Sequence, residues 1–227
     1  MKNIYKSLYS SKRNSGNLRE SLRIKTMLAM IDGLNLQEKN ILDVGCYDGT
    51  FLSLMKSRDN NFYGLDAGDW GVEESRKKGI NVAKFFFNDV DKLPYADNFF
   101  DVAIAGEVIE HIYDTDFFLE EISRVLKPKG KLILSTPNIA SLGRRFFLLL
   151  GRDPLIEISP NEVDSVGHIR YFTRKKLVSL LKKYNFKLLA ERSDCVNFSR
   201  NGKVKSSALA KIFPCLGASI IVMAENK

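Results

Sequence analysis

Four short stretches carry side chains whose types and spacing can do chemistry: ILDVGCYDGTF (41–51), FYGLDAG (62–68), GEVIEHI (106–112) and GHIRYFT (167–173). In the first, Asp43 stands in an apolar run, and Gly45 and Gly49 follow it. Glycine turns the chain with φ > 0 and lets a ligand approach the backbone closely. The second stretch ends near Asp66, 23 residues after Asp43, which suits one βαβ step. A carboxylate at a strand tip can accept hydrogen bonds from both hydroxyls of a ribose. A dinucleotide site needs G-x-G-x-x-G, whereas this turn reads G-C-Y-D-G. Asp48 there would repel a pyrophosphate. A nucleoside without phosphates meets no such objection, and a cationic end on it would be attracted to the carboxylates. One such glycine turn alone is equally an ordinary turn; two motifs at consecutive strand ends point to a nucleoside site. The third and fourth stretches bring Glu107, Glu110 and His111 together with His168, and the chain has only these two histidines. Imidazole titrates near neutral pH, so either ring suits a base or an acceptor-positioning group. Packing at the edge of a cleft is the plainer reading of both. Arg170, Arg144 and Arg145 face a similar choice between pairing an acid and holding an anionic acceptor.

The elements that must position these residues alternate along the chain. NILDV (40–44), NFYGLD (61–66), VAKFFF (82–87), FDVAIAG (100–106) and KLILSTP (131–137) read as strands, apolar enough to be buried on both faces. GTFLSLMKS, DWGVEESRKKG and DFFLEEISRVL read as helices, the last stopped by Lys127-Pro128-Lys129-Gly130. TRKKLVSLLKKYN (173–185) predicts another helix with Thr173 as N-cap, and FKLLAERS and ASIIVMAEN predict two closing strands. This alternation predicts an α/β fold with a doubly wound, mostly parallel sheet. Ligands of such sheets bind beyond the carboxyl ends of the strands. Apolar residues at helical spacing over 17–34 predict an N-terminal helical cap within 1–36. Residues 37–227 would form the main domain, with 138–170 as a lid-like insertion.

Composition bounds the rest. The chain has 227 residues, is 44% hydrophobic and carries a net charge of +8. Residues 1–25 hold seven Lys/Arg against one Glu, and 170–227 thirteen against three acids, so the middle is acidic. Basic ends suit an anionic partner, nucleic acid, lipid head group or phosphorylated sugar, and equally a solvated surface. Cys46, Cys195 and Cys215 make no CxxC pair, which favours a reducing, cytoplasmic setting. MKNIYKSLYSSKR lacks the apolar core of a secretory signal. The longest apolar run, RRFFLLLG (144–151), is too short for a transmembrane segment and could at most lie on a surface. Monomer and homodimer both remain open.

Taken in order, these motifs resemble the class I S-adenosylmethionine-dependent methyltransferases. ILDVGCYDGTF resembles that family's first motif and FYGLDAG its second. FFFNDVDKLPYADNFFDVAIAGEVIEHI resembles its third- and fourth-strand region, and LEEISRVLKPKGKLILSTPN its following helix and strand, so the likeness covers about residues 38–192. The resemblance implies a Rossmann-like sheet of seven strands with the last antiparallel, and S-adenosylmethionine as cofactor with S-adenosylhomocysteine as product. It also implies roles. Asp43 would order the glycine loop, and Gly45, Cys46, Tyr47 and Gly49 would shape it around the methionine part. Tyr47 departs from the small residue usual at the centre of that loop. Asp66 would hold the ribose with Ala67 beside it, Asp89 and Val90 would read the adenine, and Gly106 and Glu107 would lie along the methionine. His111 and His168 would be catalytic. Glu-x-x-Glu-His followed by a later His also resembles small-RNA ribose 2′-O-methyltransferases, which hold a divalent ion with two Glu and two His. Its first three positions resemble ubiquinone-pathway O-methyltransferases. The motif is widespread in relatives without metal, and no metal is expected here. The expected reaction is O-methylation of a small molecule or a sugar- or polysaccharide-pathway acceptor. A metal-dependent RNA methyltransferase and a non-catalytic cofactor-binding protein are the alternatives.

Overall fold

The apolar runs of the sequence become the strands of one sheet. The computed structural model describes residues 21–55, 59–89, 92–154, 167–199 and 203–227. The chain enters through α1 (Leu22–Asp32), β1 (Asn40–Val44), α2 (Thr50–Ser53), β2 (Asn61–Asp66), α3 (Asp69–Lys77) and β3 (Asn81–Lys84). It continues through β4 (Phe100–Gly106), α4 (Thr115–Val125), β5 (Leu126–Pro137), α5 (Leu142–Leu149), α6 (Arg174–Lys183) and β6 (Phe186–Arg192). A short hairpin, β7 (Val196–Asn197) and β8 (Lys205–Ser206), leads into α7 (Ser207–Ile212), and β9 (Ser219–Asn226) closes the chain.

Seven strands form the sheet in the order β3-β2-β1-β4-β5-β9-β6. Pairings from β3 to β5 are parallel, and β9 runs antiparallel to both its neighbours. The sheet is therefore doubly wound and mostly parallel, as the alternation predicts, and the last strand of the chain is reversed, as the resemblance implies. Its strand order turns at β1, which sits between β2 and β4. That switch opens a crevice at the carboxyl ends of the strands.

Successive strand residues point to opposite faces, so each strand feeds two cores. Ile41, Ile104, Ile133 and Ile221 meet Ile24, Met27 and Ile31 of α1 on one face. Leu42, Leu132, Leu134 and Val222 meet Phe118, Leu119 and Ile122 of α4 and Leu177 and Leu181 of α6 on the other. The N-terminal helix thus shares an apolar cluster with the sheet.

Several elements differ from their sequence reading: β5 already begins at Leu126, ahead of KLILSTP. VAKFFF is strand only as far as Lys84, and Phe87–Asp89 forms a 3-10 turn. The cause is packing: the Phe87 ring turns onto Phe118 with centroids 4.8 Å apart, which a continued strand would prevent. The helix read over 49–57 is the short α2, with residues 56–58 outside the described residues. Of the 138–170 insertion, α5 is described and 155–166 are not. Among the described residues no helix is long and apolar enough to cross a membrane.

Candidate functional site

The site is built on the loop that leaves β1. Gly45 has φ +71°, and a Cβ there would stand 2.7 Å from Cγ2 of Val108. Gly49, also at φ +71°, caps α2, and a Cβ there would meet Ile80 at 2.4 Å. Both positions therefore need glycine for conformation and for space. The loop is tied to β2: the amides of Gly45 and Cys46 both donate to the Leu65 carbonyl, at 2.7 and 2.9 Å. Between the glycines, Tyr47 holds φ +49° and its ring leans on Trp70, centroids 4.9 Å apart.

Asp66 organises the loop from the tip of β2. One carboxylate oxygen accepts from the Tyr47 amide and the other from the Gly68 amide, each at 2.8 Å. Burial pushes the Asp66 carboxyl up, and these amides with that of Ala67 oppose the shift. A carboxylate offers about four lone-pair sites, so capacity remains for a ligand hydroxyl beside the three amides. Asp43 lies one strand away, buried in β1 opposite Gly64 and Ile104. Its pKa is pushed up to about 8, first by burial and then by Asp66, against the pull of Arg23.

These strand ends open into a cavity of about 210 Å³. Gly45, Tyr47, Asp66, Ala67 and Glu107 line it with His111, as do Val44, Leu65, Phe85, Phe86, Phe87, Asn88, Val108 and Ile112. Of the expected cofactor residues, Asp43, Cys46, Gly49, Asp89 and Gly106 do not line it. Asp43 and Cys46 are buried behind the loop, and the Cys46 thiol packs against Gly64, where a Cβ would stand 2.6 Å from Sγ. Burial, Asp43 and Asp66 all push that thiol's pKa up, so it is not a nucleophile. Asp89 ends the 3-10 turn one residue past the lining residue Asn88. Val90 lies outside the described residues.

The far side of the cleft is set by the turn after β4. Glu107 is held at φ +58°; its amide donates to the Ser135 carbonyl at 3.0 Å and its Oε1 accepts from the Ser135 hydroxyl at 3.0 Å. Glu110 is buried; Oε2 accepts from the Thr136 hydroxyl at 2.9 Å, while Oε1 has no hydrogen-bond partner and faces His168 Nε2 at 3.8 Å. Burial and then Glu107 push the Glu110 carboxyl well up. The Glu110 carbonyl accepts from the amides of Ile169 and Arg170, at 2.9 and 3.0 Å, which fastens the His168 stretch to this turn. The two imidazoles meet with centroids 4.9 Å apart. His111 Nδ1 lies 3.0 Å from the Gly167 carbonyl. A carbonyl only accepts, so Nδ1 carries the hydrogen and Nε2 the lone pair of the neutral ring.

Two participants were not read from the sequence. Arg23 of α1 reaches Ser135 Oγ at 3.3 Å and Glu107 Oε1 at 3.8 Å, bringing a cation to the acids from the N-terminal helix. Asn88 donates to the His111 carbonyl at 3.2 Å and accepts from the Tyr113 amide at 2.7 Å, joining the turns after β3 and β4. Nothing local marks Arg23, whose partner Ser135 is 112 residues away. Asn88 beside Asp89 was the one available signal. Arg170 donates to the Tyr113 carbonyl at 2.7 Å, and Arg144 to the Asn138 carbonyl at 3.0 Å.

A glycine cradle, apolar walls and an acid at the tip of β2 suit a nucleoside with a cationic end. A family model described as a methyltransferase domain matches residues 17–191. A ubiquinone biosynthesis O-methyltransferase of Pelagibacter ubique is 28% identical over 174 residues, which is 72% of this chain and 67% of that protein. The chain spans 34 to 67% of the length of the first four curated relatives it matches. Among solved structures, a possible histamine N-methyltransferase of Thermotoga maritima superposes with TM-score 0.64 at 20% identity, covering 91% of each chain. The 1,6-didemethyltoxoflavin N1-methyltransferase of Burkholderia thailandensis, solved with that compound and S-adenosylhomocysteine, gives TM-score 0.65 at 14% identity over 99% of this chain and 88% of its own. With the family matched over most of its length and the fold shared, the chain belongs to the class I S-adenosylmethionine-dependent methyltransferases.

Proposed function

We propose that the protein methylates an oxygen of a small-molecule or sugar-type acceptor, with His111 as the base. The carrying observation is the His111 ring: it lines the cleft beside Glu107, and its Nδ1 is engaged by the Gly167 carbonyl. With Nδ1 so oriented, Nε2 is the ring nitrogen that takes the proton of a hydroxyl acceptor. S-adenosylmethionine supplies an already activated methyl group. The chain's task is to bind, align and exclude water. Asp66 accepts from the ribose hydroxyls, the loop from Gly45 to Gly49 wraps the methionine part, and Glu107 with Gly106 flanks it. The turn holding Asn88 and Asp89 faces the adenine, with Val90 following. His168 positions the acceptor next to His111. That the ubiquinone-pathway relative is named an O-methyltransferase supports the same reading.

The test is methyl-label transfer from S-adenosylmethionine into extract of the protein's own source. The expected label falls in nuclease-resistant small-molecule or glycan fractions and survives EDTA. His111→Gln should lower turnover about a hundredfold or more, with S-adenosylhomocysteine binding retained. Full turnover in that variant would remove His111 from the chemistry.

A second reading has its own observation. Donor atoms of Glu110, His111 and His168 lie within 4.8 Å of one another, and Glu110 Oε1 has no hydrogen-bond partner. That set suits a divalent ion, which would fix vicinal hydroxyls of an acceptor such as an RNA ribose. Nuclease-sensitive label abolished by EDTA would favour it over the first. Binding of S-adenosylhomocysteine with no transfer to any fraction would instead favour a non-catalytic binding protein.

A further inference from the structure

An apolar helix in a soluble fold normally buries one face. α5 carries the run FFLLL, yet none of its residues is buried. Leu149 is 81% exposed and Phe146 55%. The helix is seated on the β7–β8 hairpin: a Cβ at Gly143 would stand 2.7 Å from the Asn197 carbonyl. The hairpin adds apolar residues of its own. The Phe198 amide donates to the Val204 carbonyl at 2.9 Å, so the two lie opposite each other, and opposite residues share a face. Both are exposed, Val204 by 59%. α7 follows at once and exposes Ile212 by 67% and Phe213 by 51%. These elements follow the carboxyl ends of β5 and β6 and precede the start of the antiparallel β9, so they lie at the end of the sheet where the cleft opens.

The charges of this surface are predominantly positive. Residues 142–154, 196–199 and 203–216 together carry six Lys/Arg and a single acid, Asp153. Arg145, Arg152, Lys203, Lys205 and Lys211 are exposed among the apolar side chains. Bulky apolar tips set among cations match a bilayer interface, where acyl chains take the tips and anionic head groups the cations. Nucleic acid would use the cations and leave Leu149 and Ile212 in water. We infer that the surface formed by α5, the β7–β8 hairpin and α7 docks the protein on an anionic phospholipid membrane. Docked this way, the end of the sheet carrying the cleft faces the bilayer, so an acceptor with a lipid tail can enter from the membrane. That consequence rests on the acceptor reading above; the docking does not, and it is measured without turnover.

The experiment is sedimentation of the full chain with phosphatidylcholine vesicles, with and without about one third phosphatidylglycerol. The protein is expected in the pellet with the anionic vesicles, and in the supernatant with the neutral ones or in high salt. Leu149→Ser with Ile212→Ser should lower partition about tenfold or more. Lys205→Glu with Lys211→Glu should act in the same direction. All four side chains are exposed, so unchanged thermal melts and S-adenosylhomocysteine binding verify the fold. Failure of the wild type to sediment overturns the inference, as does a Leu149→Ser, Ile212→Ser variant that sediments equally well. A variant that turns a dimer into a monomer while vesicle binding stays the same overturns it in favour of a second copy of the chain.

Discussion

Asp43 is a carboxyl group inside the central strand, 5% exposed, between Gly64 and Ile104. Burial and Asp66 raise its pKa from 3.8 to about 8. In the unfolded chain it has lost its proton above 3.8, whereas in the folded chain it keeps it to about 8. Between those values the folded state binds more protons, so stability falls as pH rises. The contribution is fully present below 3.8 and lost as pH passes about 8. Glu107 and Glu110, also raised by burial, act with the same sign. Urea unfolding across this window should show a falling stability, and Asp43→Asn should flatten it in part. An unchanged slope in the variant would assign the effect to the two glutamates instead. The sequence marks Asp43 as an acid beside a glycine turn, but an apolar run cannot say whether the acid faces solvent or the core. That depends on β2 and β4 lying on either side of it.

The helix α6 begins against its own charge. Arg174, Lys175 and Lys176 occupy its first turn, where the helix dipole disfavours cations. Thr173 offsets this by accepting from the Lys176 amide at 3.3 Å. Thr173→Ala should cost about 1 kcal/mol in urea unfolding. Thr173→Asp should keep the cap and add a charge of the favoured sign, leaving stability equal or higher by a few tenths of a kcal/mol. An Asp variant as unstable as the Ala variant would show that the cap contributes nothing. Elements with a clear period or a recognisable cap, such as NFYGLD, FDVAIAG and this helix, are legible in the sequence because local pattern and tertiary burial agree. Two-residue strands such as β7 and β8 have no period to read, and α7 has one buried residue, Ala210. VAKFFF misleads because three aromatic residues fit a strand and a packed turn equally well until Phe118 is in place. Arg23 is invisible from the sequence because only the folded sheet brings α1 to Ser135.

α1 serves the molecule twice, through neighbouring residues of one face: Arg23 lies one turn before Met27, and its Nη1 reaches the Met27 sulfur at 3.9 Å. Ile24, Met27 and Ile31 close the apolar face of the sheet, and Arg23 carries a cation to Glu107 and lowers the pKa of Asp43. The two contributions separate by pH. Ile31 is fully buried, so Ile31→Ala removes apolar contacts and leaves a cavity, costing about 2–5 kcal/mol. No charge is involved, so that loss should be the same at every pH. Arg23→Gln keeps the helix seated and removes the cation. Where Asp43 and Glu107 are protonated, little is lost. As they ionise, the missing attraction is felt, and their pKa values rise further because the opposing cation is gone. The cost of Arg23→Gln should therefore grow with pH, small near 4 and largest above about 8, and the falling limb of stability should steepen. Urea unfolding of both variants at the two ends of this range tests the separation. A pH-independent loss in Arg23→Gln would mean that the arginine acts by packing alone, and that the acids around the cleft keep their protons without regard to α1.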